Sequence, residues 1–139
     1  MYSAKEAAEI TGLSTATLRY YEKEQLLPPI ERTSQRYRQY SDTDIAWIKM
    51  IQCLRMANVP IHSIREYILL LTQGGTTLSD RYSMIQGYID DLHSQMANLQ
   101  NALNLTQKKL AFYEELLQNP SAKNLTYLEE WSLFKSKGE

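Results

Sequence analysis

The chain contains few of the residues from which catalytic, metal and disulfide sites are usually built. Its 139 residues include one cysteine, two histidines and five glycines. A single cysteine excludes a disulfide within the chain and a multi-cysteine zinc or iron–sulfur site, and the histidines, His62 and His93, lie far apart in the sequence. No glycine-rich phosphate-binding loop occurs. We therefore expect a protein that is not an enzyme and that holds no metal or other cofactor.

Long apolar runs and a large excess of one charge are also absent. No run approaches the roughly 20 apolar residues of a membrane span, and the charged N-terminal segment is unlike a signal peptide, so we expect a cytoplasmic protein with no membrane partner. With 15 basic and 16 acidic residues, the net charge is −1. Contact with nucleic acid would therefore require a local basic patch. Hydrophobic residues form 43% of the chain, which is enough for a folded core.

The first 24 residues predict two short helices joined by a tight turn. Ser3 and Glu6 have the spacing of a capping box, Gly12 can adopt a positive φ, and Ser14 can cap a second helix. Such a pattern is typical of a helix-turn-helix, whose polar side chains contact phosphates or base edges. The candidate DNA contacts here are Lys5, Thr15, Thr17, Arg19, Tyr20 and Tyr21. Two have alternatives, because Lys5 can remain without a contact and Tyr21 shares the core side of its helix with Leu18.

Residues 27–40 predict a small basic hairpin, or wing, beside the second helix. Pro28 and Pro29 end that helix, and residues 30–32 and 36–38 are expected to pair around a turn at 33–35. The segment from 32 to 40 contains three arginines and no acid, as phosphate neutralisation requires. An ordinary charged hairpin is the alternative. The candidate DNA contacts of the wing are Arg36, Tyr37, Arg38 and Tyr40.

Helices are expected next at about 42–57 and 61–72, and then a coiled-coil helix. Between 78 and 117, apolar residues recur in alternating steps of four and three, interrupted only by Thr106. A helix of this length measures about 60 Å, so we expect it to pair with the same helix of a second subunit. A helical hairpin within one chain is the alternative, but no second helix of matching length is predicted. The predicted seam consists of Leu78, Tyr82, Ile85, Ile89, Leu92, Met96, Leu99, Leu103, Leu110, Tyr113 and Leu117.

The segments TLRYYE at 17–22, LLPP at 26–29 and YRQY at 37–40, together with Arg32 and the Pro60-Ile61 pair, resemble the MerR family of bacterial transcription regulators. The resemblance implies a mainly α fold: a winged helix-turn-helix DNA-binding domain with a small β-hairpin wing at 1–75, an antiparallel coiled-coil dimerisation helix at 76–118 and a tail at 119–139. It implies a homodimer that binds a palindrome in double-stranded promoter DNA. Such a dimer distorts the DNA, and through it acts indirectly on RNA polymerase.

The chain departs from the family pattern at several points. Arg36 stands where the wing usually has glycine, and Asn58 replaces a usual glycine between the third and fourth helices. The paired cysteines of the metal-sensing branches are missing, and 22 residues after Leu117 are too few for a multidrug-binding domain. The resemblance then favours the single-cysteine branch, which responds to aldehydes, nitric oxide or other thiol-reactive stress. The segment Cys53-Leu54-Arg55 matches that branch and makes Cys53 the sensor candidate.

Three alternatives stay open at the level of sequence. Cys53 can be a small buried hydrophobic residue, as lone helical cysteines often are. The signal can instead be a small molecule held by the tail and the coiled-coil end, where Leu125, Leu128, Trp131 and Phe134 recur at helical spacing and either dock or fray. The third alternative is a coiled-coil adaptor that no longer binds DNA.

Overall fold

The computed structural model describes residues 1–138 and divides the chain into two compact units, Met1–Asp90 and the segment from Asp91 onward. The first unit contains a small sheet and the first four helices, and α5 passes from the first unit into the second. The strands are β1 (Tyr2–Ser3), β2 (Glu31–Arg32) and β3 (Arg38–Tyr40). The helices are α1 (Ala4–Thr11), α2 (Thr15–Lys23), α3 (Asp42–Met56), α4 (Ile61–Thr72), α5 (Leu78–Leu117) and α6 (Tyr127–Lys137). The predicted mainly α fold with a small β element is confirmed.

The caps predicted for α1 and α2 are present. The Ser3 hydroxyl accepts the Glu6 N–H at 3.1 Å, and the Glu6 carboxylate accepts the Ser3 N–H at 3.2 Å. These hydrogen bonds hold the pKa of Glu6 below its ordinary value. Gly12 adopts φ +72° and donates its N–H to Ala8 at 2.9 Å, which ends α1. The capping Ser14 hydroxyl accepts the Thr17 N–H at 3.0 Å, so the predicted helix-turn-helix is formed.

The sheet differs from the prediction in two ways. It has three antiparallel strands in the order β1-β3-β2, because Tyr2 pairs with Tyr40 at its outer edge. The hairpin pairs Arg32 with Arg38, so its loop covers residues 33–37 instead of 33–35. This longer loop closes because Arg36 adopts φ +69° and donates its N–H to the Thr33 carbonyl at 2.8 Å.

The core of the first unit lies between α1, α2, α3 and α4. Leu18, Ile48, Ile51 and Ile64 are completely buried there. On α5, Ile85 and Tyr88 pack against this core. The first unit therefore includes the beginning of α5, up to Asp90.

Most of the predicted seam on α5 is exposed in the single chain. Ile85 contributes to the core of the first unit, and Leu92 is half-buried. The exposed seam residues are Leu78, Tyr82, Ile89, Met96, Leu99, Leu103, Leu110, Tyr113 and Leu117. An apolar stripe of this length is favourable only when another surface covers it.

The second unit is held together by aromatic side chains. Phe112 of α5 is buried, and Phe134 of α6 meets it with the ring centroids 5.5 Å apart. Lys109 and Lys137 lie over the Phe134 and Phe112 rings, each 5.7 Å from its ring centroid. The tail therefore folds as a helix that packs on α5. Among the helices described, none combines the length and the apolar character needed to cross a bilayer.

Candidate nucleic-acid interface

A groove on the first unit brings together residues from α1, α2 and the wing. Its volume is about 440 Å³. Six of the ten predicted DNA contacts line it: Lys5, Thr15, Arg19, Arg36, Tyr37 and Arg38. Ser3 and Ala4 complete the lining, so the N-terminus of α1 opens into the groove. Four of the eight lining side chains are cationic and none is acidic, which is the electrostatic pattern that a phosphate backbone requires.

Helix α2 presents a polar face beside the groove. Arg19 and Tyr20 are exposed, Tyr20 by 44%, so both side chains are accessible to a ligand. Thr17 is half-buried, and its hydroxyl lies 2.9 Å from the Ser14 hydroxyl. Thr17 therefore takes part in the cap of α2, whereas Arg19 and Tyr20 remain available for DNA.

The structure corrects two predicted contacts. Tyr21 is 4% exposed and packs in the core on the same side of α2 as Leu18. Tyr40 is fully buried, because alternate residues of a strand point to opposite faces and Tyr40 points inward. Burial raises the pKa of both phenols. Neither side chain reaches the surface that would meet DNA.

The basic charge of the wing is partly compensated, which the sequence of the hairpin alone did not indicate. The Glu22 carboxylate on α2 accepts a hydrogen bond from Arg38 Nε at 2.7 Å and lies 4.0 Å from Arg32 Nη2. Arg32 in turn donates to the Arg36 carbonyl at 3.1 Å. Arg36 has an exposed side chain, closes the wing turn with its positive φ and adds a cation to the groove.

Sequence reasoning missed Glu22, Arg32, Ser3 and Ala4 as parts of this site. The capping box at Ser3 was a usable signal, because it places the free N–H groups of α1 at a known position. No comparable signal existed for Glu22, since its partner Arg38 lies sixteen residues away and the two meet only in the folded unit.

Cys53 lies on the exposed surface of α3, so it is not a buried core residue. Arg55, the nearest cation in the sequence, donates to the Val59 carbonyl at 3.0 Å. It is therefore engaged in ending α3 rather than directed at the thiol.

A second cleft, of about 400 Å³, lies within the second unit. Its lining is mostly apolar, with one cation and one carboxylate. The residues are Tyr113, Leu116, Leu117, Asn119, Pro120, Ala122, Lys123 and Glu130.

Two short helices joined by a left-handed Gly12, a strand-loop-strand wing and a cationic groove between them define a winged helix-turn-helix DNA-binding protein. Residues 2–71 match the family model for the MerR HTH family of regulatory proteins. An uncharacterized HTH-type transcriptional regulator of Haemophilus influenzae is 33% identical over 133 residues, covering 94% of this chain and 98% of that protein. The chain belongs to the MerR family and is a DNA-binding transcription regulator, as its sequence predicted.

Two further comparisons agree with this assignment. The transcriptional regulator AdhR of Bacillus subtilis is 40% identical over 80 residues, covering 58% of this chain and 57% of AdhR. The crystal structure of HiNmlR, a MerR family regulator lacking the sensor domain and bound to promoter DNA, has a TM-score of 0.74 and 32% sequence identity. That match covers 89% of this chain and 98% of HiNmlR. The relatives are transcription regulators and not enzymes, in agreement with the prediction from composition.

Proposed function

We propose that this chain acts in the bacterial cytoplasm as a homodimer that binds a promoter palindrome and distorts it, so that RNA polymerase can engage. The groove lined by Lys5, Arg19, Arg36 and Arg38 is the observation that carries the proposal. The cations of α1 and the wing neutralise phosphates, and the exposed face of α2, which includes Arg19, supplies side chains for base edges. HiNmlR, which resembles this chain over most of its length, was crystallised on promoter DNA.

The exposed stripe on α5 supports dimerisation. Nine seam residues lie open to solvent in the single chain, among them Leu99 at 70% and Leu110 at 60%. Pairing with the same stripe of a second copy removes this apolar surface from water. A two-fold dimer carries two grooves related by symmetry, and the matching DNA site is a palindrome.

DNA footprinting with purified protein tests this function. The expected footprint covers two inverted half-sites within a promoter, because each subunit reads one half-site. Arg19→Ala should weaken binding to that site more than binding to duplex of scrambled sequence, since a base contact contributes only at the specific site. A protein that protects no DNA would contradict the proposed function. Equal losses of affinity for both duplexes in Arg19→Ala would contradict only the assignment of Arg19 to a base edge.

The trigger belongs to the same proposal, and Cys53 is our candidate for it. The residue is the single cysteine of the chain, and its position on the surface of α3 allows an electrophile to approach. The Cys53 sulfur would add to the carbonyl carbon of an aldehyde. The carbon–sulfur bond forms as the carbonyl π bond breaks, the thiol loses its proton and the carbonyl oxygen gains one, so the product is a hemithioacetal. Helix α3 contacts α1, α4 and β3, so an adduct on it can alter how the DNA-binding elements are held.

Labelling and induction measurements test Cys53. Cys53→Ser should leave DNA affinity nearly unchanged, because the residue does not line the groove, and should abolish induction of a reporter by aldehydes. A matched control is Ala46→Cys in the Cys53→Ser background, since Ala46 is exposed two turns earlier on α3. This variant should regain thiol labelling without regaining induction. An inert native thiol together with a responsive Cys53→Ser variant would contradict the thiol trigger.

The cleft in the second unit supports a second candidate trigger. A mostly apolar lining with Lys123 and Glu130 at its edge suits a small amphipathic molecule. In that case Leu116→Trp, which fills the cleft, should abolish induction while Cys53→Ser still responds. The two variants therefore distinguish the two triggers.

A further inference from the structure

Glu22 occupies an unexpected place for a carboxylate, directly behind a DNA-binding wing. It lies on α2, and the wing lies on the neighbouring hairpin. Its carboxylate accepts from Arg38 Nε at 2.7 Å and lies 4.0 Å from Arg32 Nη2. Arg32 and Arg38 face each other across the β2–β3 pair. One carboxylate therefore joins both strands of the wing to the helix that carries the exposed DNA contacts.

The contacts continue to the tip of the wing. Arg32 Nη1 donates to the Arg36 carbonyl at 3.1 Å, and Arg36 holds the positive φ that closes the loop. Glu22, Arg32 and the Arg36 carbonyl thus form a chain of polar contacts from α2 to the loop. These contacts link Glu22 to the loop that carries Arg36, and the direct hydrogen bond links Glu22 to Arg38.

The geometry at Arg38 is suited to presenting a cation. A guanidinium carries five N–H donors in a planar fork, and the contact to Glu22 uses the one on Nε. A charge-assisted bond at this position fixes the plane of the fork. The recorded hydrogen bond to Glu22 uses Nε, which leaves the N–H donors of the two Nη groups for a phosphate. The side chains of Arg38 and Glu22 are only 26% and 24% exposed, so solvent competes weakly for the bond.

We infer that Glu22 is a positioning residue for DNA binding: it holds Arg38 and Arg32 against α2, so that the wing cations meet the phosphate backbone in a fixed place. The inference rests on the DNA-binding function of the groove. Charge alone predicts the opposite role for Glu22, because a carboxylate near the DNA polyanion should weaken binding. The two effects therefore predict opposite outcomes when Glu22 is removed.

The experiment measures the affinity of the full dimer for duplex DNA of scrambled sequence as a function of salt concentration. Phosphate contacts contribute to binding of any sequence. Glu22→Ala should weaken binding about tenfold, the loss equivalent to one good charged hydrogen bond. The slope of log affinity against log salt, which is negative, should become shallower by about one, because one phosphate contact is lost. Arg38→Ala should make the slope shallower by a similar amount, and adding Glu22→Ala to it should change the slope no further.

Two further variants separate position from charge. Glu22→Gln retains an oxygen that accepts from Arg38 Nε but loses the charge, and should bind within about twofold of the parent if position governs binding. Glu24→Ala is the matched control, because Glu24 pairs with Arg65 of α4 at 2.6 Å and does not contact the wing. It removes an equal charge from the same end of α2 and should leave the salt slope unchanged.

The possible results are distinct. A parent protein that fails to bind any duplex would overturn the DNA-binding function itself. A parent that binds, together with a Glu22→Ala variant that binds as tightly or more tightly at an unchanged slope, would overturn only the inference about Glu22. Thermal melting serves as the folding control, with midpoints expected within about 5 °C of the parent because a part-exposed ion pair contributes little stability. Should Glu22→Ala fail to fold, tighter binding by Glu22→Gln would itself overturn the inference.

Discussion

The Phe134 ring of α6 packs edge-to-face with the Phe112 ring of α5, with the centroids 5.5 Å apart and the ring planes inclined by 61°. This edge-to-face arrangement is favourable because the positive edge of one ring faces the negative face of the other. Lys109 and Lys137 lie over the two rings, and Lys137 also pairs with Glu115. The tail is therefore attached to α5 by this aromatic contact, by the two cations over the rings and by the Lys137–Glu115 ion pair.

Phe134→Ala should release α6 from α5. The aromatic pair contributes about 1 kcal/mol beyond the area it buries, which is a large share of the energy available to an eleven-residue helix. Hydrogen exchange should show loss of amide protection across 127–137 with the first unit unchanged. Leu128→Ala is the control, because Leu128 is 72% exposed and should leave protection intact. Amide protection across 127–137 that is equal in Phe134→Ala and in the parent would show that other contacts hold the tail.

Leu103→Asp should convert the proposed dimer to a monomer. The substitution places a charge in the middle of the seam, where burial without a partner costs several kcal/mol. Light scattering should report twice the chain mass for the parent and a single chain mass for the variant.

Leu105→Asp provides the matched control for this measurement. Leu105 lies on the same helix and is 60% exposed, compared with 50% for Leu103, but it is outside the heptad seam. Its variant should remain dimeric. A folded monomer in the parent, or equal dissociation of both variants, would contradict the assignment of the seam.

Features encoded by nearby residues could be predicted from the sequence. The capping box at Ser3 depends on two side chains three residues apart, and it is formed. The bounds of α4 were predicted at 61–72, and α5 runs over the same 78–117 span as the heptad pattern. In each case a local spacing determines the hydrogen bond or the apolar face, so no knowledge of the tertiary structure was needed.

The wing was harder to predict, because the two-residue alternation of a strand shows which side chains share a face but not which residues pair or which face is buried. Alternation indicates that Arg38 and Tyr40 share a face, but it does not indicate that Tyr40 is buried in the core while Arg38 lies against Glu22 at the groove. Pairing Arg32 with Arg36 or with Arg38 leaves every side chain on the same face, since the two registers differ by an even step. The choice depends on Arg36 adopting a left-handed conformation and on Glu22, which lies on another element.

Arg36→Gly should separate two effects of the arginine in the wing turn: the cost of its positive φ and the cation that it adds to the groove. Glycine adopts φ +69° without the cost of a β-carbon, so the variant should be more stable by about 1 kcal/mol. It also loses a cation of the groove, so the salt slope of DNA binding should become shallower by about one. Gln35→Gly, which adds flexibility at the preceding position without removing a charge, should reduce stability and keep the slope. Denaturant unfolding and binding titrations measure the two quantities.

Tyr40→Phe should leave DNA binding unchanged and reduce the alkaline sensitivity of the fold. The Tyr40 ring is fully buried, and within residues 1–138 its hydroxyl finds no hydrogen-bond partner. Removing that hydroxyl should therefore be neutral or stabilise the fold by up to about 1 kcal/mol. Burial raises the pKa of Tyr40. Above about pH 10 the unfolded phenol ionises while the folded one stays neutral, and stability falls as the pH rises.

Urea unfolding of Tyr40→Phe between neutral and alkaline pH measures this effect. The variant should lose less stability than the parent above about pH 10, although Tyr21 and Tyr88, whose pKa values are also raised by burial, keep part of the dependence. Tyr37→Phe is the control, because Tyr37 is 71% exposed and should leave the alkaline profile unchanged. Weaker DNA binding by a fully folded Tyr40→Phe variant would mean that the hydroxyl reaches the DNA after all, and that the wing opens when it binds.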